Sequence, residues 1–173
     1  PDGLWQAVTM TGQRFKPDEG DDIYRRSLYI FWKRAMPPPQ MTILNAPIRD
    51  ACTARRERTN TPSQALLLLN ESEYLKAART LAQGVLAAKG PTPSERIELA
   101  YETVTSKLPD EGEQKVFGKL LEDLQEQYRS NPALADALCS ELGLTDAAAK
   151  VQLSAWTVFI NTLYNLDIPK TRE

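Results

Sequence analysis

Residues 61–75 read TPSQALLLLNESEYL, and this stretch contains two helix starts in succession. Its first four residues place a threonine at the N-cap, a proline at the first helical position and a glutamine at the third. This combination forms a capping box, in which the threonine and glutamine side chains satisfy free backbone amides. The four leucines that follow leave the short helix apolar on all sides, so we expect it to lie at the centre of the fold. Asn70 and Glu73 predict a second capping box and a second helix.

Start and stop signals of the same kind recur over the rest of the chain, in phase with apolar residues at helical spacing. After the first helix, the predicted helices run from Asn70 to a stop at Gly90, from Thr92 to Pro109, from Asp110 through Tyr128, from Asn131 to Gly143, and from Thr145 to a stop before Pro169. We therefore predict a mostly-α fold, a compact multi-helix domain of about six helices. Residues 61–173 form its helical body.

The N-terminal part, residues 1–60, carries weaker signals. Residues 1–20 contain scattered glycines and a proline, which indicates an irregular arm anchored by Leu4, Trp5 and Val8. Residues 37–60 begin with three prolines and contain several arginines, which predicts a long, extended Pro/Arg-rich segment. We expect the arm and the extended segment to pack on the helical body, so that the chain forms one structural domain overall.

Residues 22–35 lie between the arm and the extended segment, and they fit either of two structures. Their apolar side chains match one face of a helix, but part of the stretch also alternates as a strand does. Asp21 fits an N-cap and the prolines at 37–39 fit a helix terminator. We therefore favour the helix, which would be rich in aromatic residues.

The chain contains no histidine and only two cysteines. The missing histidine excludes Ser-His-Asp and Cys-His catalytic units, a His-ligated haem and nearly every catalytic zinc site built from this chain alone. Cys52 and Cys139 lack CxxC spacing and supply too few ligands for structural zinc, so we expect no cofactor in this chain. They form either one disulfide or two free thiols. No apolar run in the sequence is long enough to form a helix that spans a bilayer.

Charge is distributed unevenly along the chain. The formal net charge of −2 argues against a nucleic-acid-binding protein. Residues 25–58 nevertheless hold eight basic and two acidic side chains, whereas the rest of the chain holds 13 basic and 21 acidic ones. A basic segment in an acidic protein indicates either internal pairing or an exposed anion site.

The strongest candidate site is the arginine-rich stretch RRERTNTP at residues 55–62. Arginine side chains carry planar, permanently charged forks that suit carboxylate, sulfate or phosphate groups, and a helix N-terminus also favours anions. One hypothesis is therefore an anion pocket for an acidic glycan or an acidic protein. The favoured alternative is an internal ion-pair network that holds the loop to the body. The residues of the candidate site are Arg55, Arg56, Arg58, Thr59 and Asn60, and the carboxylates of the alternative network are Asp50, Glu57, Asp167 and Glu173.

A second candidate lies where Arg25 and Arg26 alternate with aromatic residues. Exposed rings beside arginines can stack on bases or sugars. Aromatic residues at this spacing more often belong to a core, which we favour here, with Tyr29 as the exposed exception. The PPPQM segment that follows is either a docking site for aromatic grooves or, as we favour, a rigid connector. The aromatic residues concerned are Tyr24, Tyr29, Phe31 and Trp32.

Catalysis has little support in the sequence. Asp50 and Glu57 lie among arginines, which favours their charged forms rather than proton transfer near neutral pH. Glu122 and Asp123 point in diverging directions on a helix and are most simply solvated. Ser27 and Ser63 have no histidine to activate them. We name no catalytic residue and no metal ligand.

Three stretches together resemble the planctomycete-specific domain one family. They are YRRSLYIFWKRAMPPPQM at 24–41, RDACTARRERTNTPSQALLLLNESEYLKAAR at 49–79, and SAWTVFINTLYNLDIPKTRE at 154–173. The resemblance extends over nearly the whole chain, with RRERTNTP as its most specific part. Residues 87–150 share only the helical pattern.

This resemblance implies a setting rather than a reaction. Members are domains of unknown function toward the C-terminal end of large exported proteins that often carry a cytochrome-c-like domain. It thus implies a periplasmic or cell-surface location, neighbouring domains as partners, and a haem in one of those domains. No catalytic residue is established for the family. We expect a non-catalytic helical interaction module; the alternative is an accessory domain that completes the active site of a haem-containing or polysaccharide-processing enzyme.

Overall fold

A computed structural model of the chain describes residues 18–33, 35–48, 50–88 and 92–170. Contacts within the chain divide it into two compact units, Pro1–Thr59 and Asn60–Glu173, which we call the N-terminal unit and the helical body. The predicted arm anchors Leu4, Trp5 and Val8 lie outside the described residues.

The N-terminal unit contains short elements only. Two 3-10 helices at Gly20–Tyr24 and Ser27–Tyr29 precede an antiparallel bridge between Lys33 and Met36, and α1 covers Pro39–Ile43. The prediction of an α-helix over residues 22–35 is wrong. The backbone is extended at Arg25, and every residue from Gly20 to Phe31 is exposed. An amphipathic helix needs a buried face to stabilise it, and none is present along this stretch.

The segment from Pro37 to Asn60 is also not extended throughout. The short helix α1 begins at the third proline, where a fixed φ and a missing amide hydrogen are tolerated. Apart from α1, the described residues of this segment form no helix or strand.

The helical body confirms the mostly-α prediction. Its helices are α2 at Pro62–Asn70, α3 at Ser72–Ala87, α4 at Pro93–Thr105, α5 at Glu111–Ser130, α6 at Pro132–Cys139, α7 at Ala147–Tyr164 and α8 at Asp167–Lys170. A 3-10 turn at Ser140–Leu142 follows α6. Six of the α-helices in the described residues have seven or more residues, in agreement with the expected number, and the described residues form no strand.

Helix α7 lies at the centre of the body. It contacts α2, α3, α4, α5 and α6, and its residues are buried on nearly all sides. Phe159 and Ile160 are fully buried, and the Phe159 ring meets those of Phe117 and Trp156 at centroid distances of 5.9 and 5.5 Å. The expectation that α2 would be central is wrong, because Leu66 and Leu69 are exposed and only Leu68 of its four leucines is fully buried.

Local hydrogen bonds confirm three predicted capping boxes, at Thr61 with Gln64, Thr92 with Glu95, and Asp110 with Glu113. The predicted box of Asn70 with Glu73 is wrong. Asn70 ends α2, where its side-chain amide donates to the carbonyl of Leu66 at 2.8 Å. Glu71 caps α3 instead, with its carboxylate accepting from the amide of Glu73 at 2.8 Å.

One further helix start differs from prediction, and another agrees with it. Asp146 rather than Thr145 caps α7, since its carboxylate accepts from two amides of the first turn. Asn131 and Pro132 begin α6 as predicted, although no side-chain capping bond of Asn131 is found among the described residues. Pro169 does not exclude a helix after α7, because it lies within the four-residue α8.

Three other properties bear on function. Cys52 is exposed, Cys139 is buried, and both are free thiols. Across the described residues, no helix combines the length and hydropathy that a membrane span requires. The same residues contain no group of three or more cysteine, aspartate or glutamate side chains arranged to hold a metal ion.

Candidate anion-binding site

The candidate loop follows α1 and is closed by a hydrogen bond between its two ends. Asn45 lies just after α1 with a left-handed φ of 55°, a conformation that asparagine adopts more readily than most residues. Its side-chain amide donates to the hydroxyl of Thr59 at 2.6 Å. Thr59 is half-buried, whereas residues 50–58 are exposed where the structure describes them. The two ends of the loop therefore lie next to each other.

Arg56 reinforces this closure. Its Nε lies 3.1 Å from the carbonyl oxygens of both Leu44 and Asn45, and one of its terminal nitrogens also donates to Leu44. These carbonyls lie at the C-terminal end of α1, where free carbonyl groups accept hydrogen bonds from cations. The Arg56 guanidinium therefore holds the loop against the C-terminal end of α1.

Arg55 and Arg58 differ from Arg56 in this respect. Both are exposed, and no ion pair or hydrogen bond among the described residues involves either side chain. Glu57 lies between them in the sequence and takes part in no ion pair of the described residues. The loop thus presents two guanidinium groups to solvent while a third one holds its backbone.

Asn60 belongs to the helical body and makes its contacts there. Its side-chain amide donates to Asp167 at 3.1 Å, and its carbonyl oxygen accepts from Lys170 at 2.7 Å. Asn60 thereby joins the residues before α2 to α8. Asp167, which we considered as a partner for the arginines, has this contact with Asn60, and Glu173 lies outside the described residues.

The second candidate cluster is also in the N-terminal unit. The rings of Tyr24, Tyr29 and Phe31 are 68%, 63% and 52% exposed, so the expectation that these aromatic residues form a core is wrong for Tyr24 and Phe31, while the exposure of Tyr29 agrees with it. The Arg26 guanidinium lies 5.8 Å from the centre of the Tyr29 ring. Arg25 pairs with Asp22 one turn earlier.

The sequence analysis missed Asn45, which the structure places at the base of the loop. An asparagine shortly before a proline is a turn signal, and its tolerance of a positive φ could have drawn attention to it. Its contact with Thr59 could not be foreseen, because the two residues are 14 positions apart.

A family model described as "PSD1: Protein of unknown function (DUF1553)" matches residues 4–121, about two thirds of the chain. The matched segment includes the whole candidate loop and the helices from α1 to the first half of α5. No curated protein and no solved structure matches the chain significantly. The match confirms the resemblance at the level of the family, while planctomycete origin and a cytochrome-c-like neighbour stay predictions.

Proposed function

Because this chain belongs to the PSD1 family, whose function is unknown, we propose its function from the candidate loop itself. It is a non-catalytic helical interaction module that binds carboxylate groups of an acidic partner through Arg55 and Arg58. The observation that carries the proposal is that the three arginines of the loop differ in their contacts. Arg56 is bound to backbone carbonyls, whereas the two arginines beside it are exposed and unpaired among the described residues.

The loop geometry favours binding in two ways. A guanidinium fork pairs with a carboxylate through two parallel hydrogen bonds, which are stronger than bonds between neutral groups. The contacts of Asn45 and Arg56 already restrict the loop, so less conformational entropy is lost when a partner binds.

An acidic polysaccharide is the partner class that the N-terminal unit favours. Exposed tyrosine rings can pack against the apolar faces of sugars, and Tyr24 and Tyr29 are largely exposed in the same unit. Arg25 and Arg26 add basic groups next to these rings. An acidic protein would use the arginines without requiring the rings, which makes the two partner classes separable by experiment.

The family resemblance supports the proposed setting. Under this proposal the module packs on neighbouring domains of a larger exported protein, at the cell surface or in the periplasm. Any haem would belong to such a neighbour. The alternative is that the module completes the active site of a haem-containing or polysaccharide-processing enzyme, and the domain content of the full-length protein would discriminate the two.

The test is binding of polygalacturonate to the wild-type chain and to the double variant Arg55→Ala, Arg58→Ala. We expect a loss of about tenfold or more in affinity, since each charge-assisted pair contributes on the order of 1 kcal/mol or more. The matched control is Lys115→Ala, Lys119→Ala, which removes the same charge from exposed positions of α5 and should bind as the wild type does. Thermal unfolding of each variant checks that the fold is retained.

Two further ligands separate the partner classes. A neutral galactan should bind far more weakly than polygalacturonate, and polyglutamate should bind without sensitivity to Tyr24→Ala or Tyr29→Ala. If the Arg55 and Arg58 variant binds polygalacturonate like the wild type, or if neither acidic polymer binds, the proposed function is wrong.

A further inference from the structure

The helical body has a cavity of about 420 Å³ that opens to the surface between the end of α5, the start of α6 and the start of α7. None of its lining residues belongs to the N-terminal unit, so it is a feature of the body alone. Its volume falls within the range of pockets that bind small molecules.

The apolar part of the cavity lining consists mostly of small side chains. Ala135 of α6 and Ala147 and Ala148 of α7 contribute only methyl groups, and Pro132 and Val151 complete an apolar lining. Larger side chains at the alanine positions would fill the space between the helices. A ligand with an apolar body would therefore displace water from apolar surface when it binds.

Three charged side chains also line the cavity. Lys150 of α7 and Asp136 of α6 form an ion pair at 2.6 Å, so their charges largely compensate each other. Arg129 lies in the last turn of α5, and its one ion pair among the described residues is an exposed pair with Glu126 one turn earlier, at 3.1 Å. Exposed pairs of this kind contribute little, so Arg129 can exchange Glu126 for another carboxylate. The lining as a whole carries one excess positive charge.

Two backbone amides at the start of α7 already have an acceptor within the chain. Asp146 accepts hydrogen bonds from the amides of Ala148 and Ala149, at 3.0 and 3.3 Å. An anion in the cavity would thus be bound by a side chain, and Arg129 is the cationic lining residue with the weakest internal partner.

We propose that this cavity binds a small amphipathic carboxylic acid. Its apolar body lies against Ala135, Ala148 and Val151, and its carboxylate pairs with Arg129. This inference concerns a different set of residues from those of the proposed function, so either can fail without the other.

The test is an NMR titration of the ¹⁵N-labelled full chain with benzoate, beside benzyl alcohol and benzylamine as neutral and cationic molecules of similar shape. We expect saturable shifts at the amides of Arg129, Ala148 and Val151 with benzoate, and weaker binding of the other two by about fivefold or more. Equal binding of benzyl alcohol, or no saturable shift with benzoate, would overturn the proposal.

Three substitutions locate the site. Ala148→Leu places a larger side chain at the cavity from an exposed helical position and should abolish benzoate binding. Arg129→Gln should weaken it about fivefold, whereas Glu126→Gln should strengthen it about twofold because Arg129 loses its competing partner. The matched control is Lys119→Gln, another exposed cation of α5, which should leave binding unchanged. Unchanged binding in the folded Arg129→Gln variant would refute the assigned role even if Ala148→Leu failed to fold.

Discussion

The N-terminal unit and the helical body use apolar side chains in opposite ways. In the N-terminal unit Leu28 is 73% exposed, and its neighbours Tyr24 and Tyr29 are also largely exposed. In the helical body Phe159 and Ile160 of α7 are fully buried by the helices around them.

This difference indicates that the two units are stabilised by different interactions. Burial of a large apolar side chain contributes about 1.5–3 kcal/mol, so the helical body is stabilised by its core. The loop of the N-terminal unit is held by individual hydrogen bonds, such as those of Asn45 and Arg56, each of which contributes about 0.5–1.5 kcal/mol. Substitutions should therefore change global stability in the body and local order in the N-terminal unit.

The largest effect is expected from Phe159→Ala. Its ring packs against Phe117 and Trp156, and removing it leaves a cavity in the core, so the free energy of unfolding should fall by about 3–5 kcal/mol. Urea denaturation measures the change. Phe159→Leu provides a milder variant if the alanine variant does not fold. The matched substitution Leu28→Ala in the N-terminal unit should stay within about 0.5 kcal/mol of the wild type. Similar losses in the free energy of unfolding for both variants would contradict this difference between the two units.

A smaller effect is expected from Tyr101→Phe. The buried Tyr101 of α4 donates its hydroxyl to the Glu113 carboxylate at 3.0 Å, which joins α4 to α5. Loss of this bond should lower the free energy of unfolding by about 1.5 kcal/mol at pH 8. Tyr128→Phe is the control, since no hydrogen bond of the Tyr128 hydroxyl is found among the described residues.

The same substitution has a predictable pH dependence. Burial, followed by the hydrogen bond to Glu113, raises the pKa of Tyr101 from 10.0 to about 12. The unfolded chain therefore loses this proton at lower pH than the folded protein does. The stability that neutral Tyr101 contributes is complete below pH 10 and declines as the pH rises towards 12. The advantage of the wild type over Tyr101→Phe should thus shrink above pH 10, and a constant difference from pH 8 to 12 would contradict the raised pKa.

A third effect in the body concerns a helix cap. Thr92→Ala removes the hydroxyl that accepts from the amide of Glu95 at the start of α4, and it should lower the free energy of unfolding by about 1 kcal/mol. Thr103→Ala is the control in the same helix. Thr103 donates to the carbonyl of Leu99, a bond that contributes little to a helix interior. Equal losses for the two variants would show that the cap has no special role.

The smallest global effect and the largest local one are expected from Arg56→Ala. Hydrogen exchange followed by mass spectrometry should show faster exchange across residues 44–59, by about fivefold, with global stability nearly unchanged. Arg55→Ala removes the same charge from the neighbouring position and should leave exchange as it is in the wild type. Faster exchange in both variants would indicate a charge effect rather than the contacts of Arg56 with the carbonyls.

Much of the helical body could be predicted because its signals are local. The boxes at Thr61, Thr92 and Asp110 depend on contacts between residues three positions apart, so the sequence specifies them directly. A predicted capping box was wrong where the same residue fits either the start or the end of a helix. Asn70 could cap a helix or end one, and the structure places it at the end of α2, with Glu71 as the cap of α3.

The candidate site was predictable in composition and not in geometry. The arginine-rich stretch is visible in the sequence, but nothing there distinguishes Arg56 from Arg55 or Arg58. That distinction depends on the carbonyls of Leu44 and Asn45, twelve and eleven positions away. The cavity in the body was missed altogether, because it lies between three helices whose packing no local pattern describes.

The sequence by itself determined the helical class of this protein, most of its helix boundaries and the basic character of its N-terminal unit. These properties depend on hydrogen bonds within one turn and on composition, both of which are local. Only the tertiary structure decided that α7 rather than α2 is central, that the aromatic residues near Tyr24 are exposed, and that Arg56 is bound to the backbone. Each of these depends on which distant residues come together, since burial and long-range hydrogen bonds are properties of packed elements.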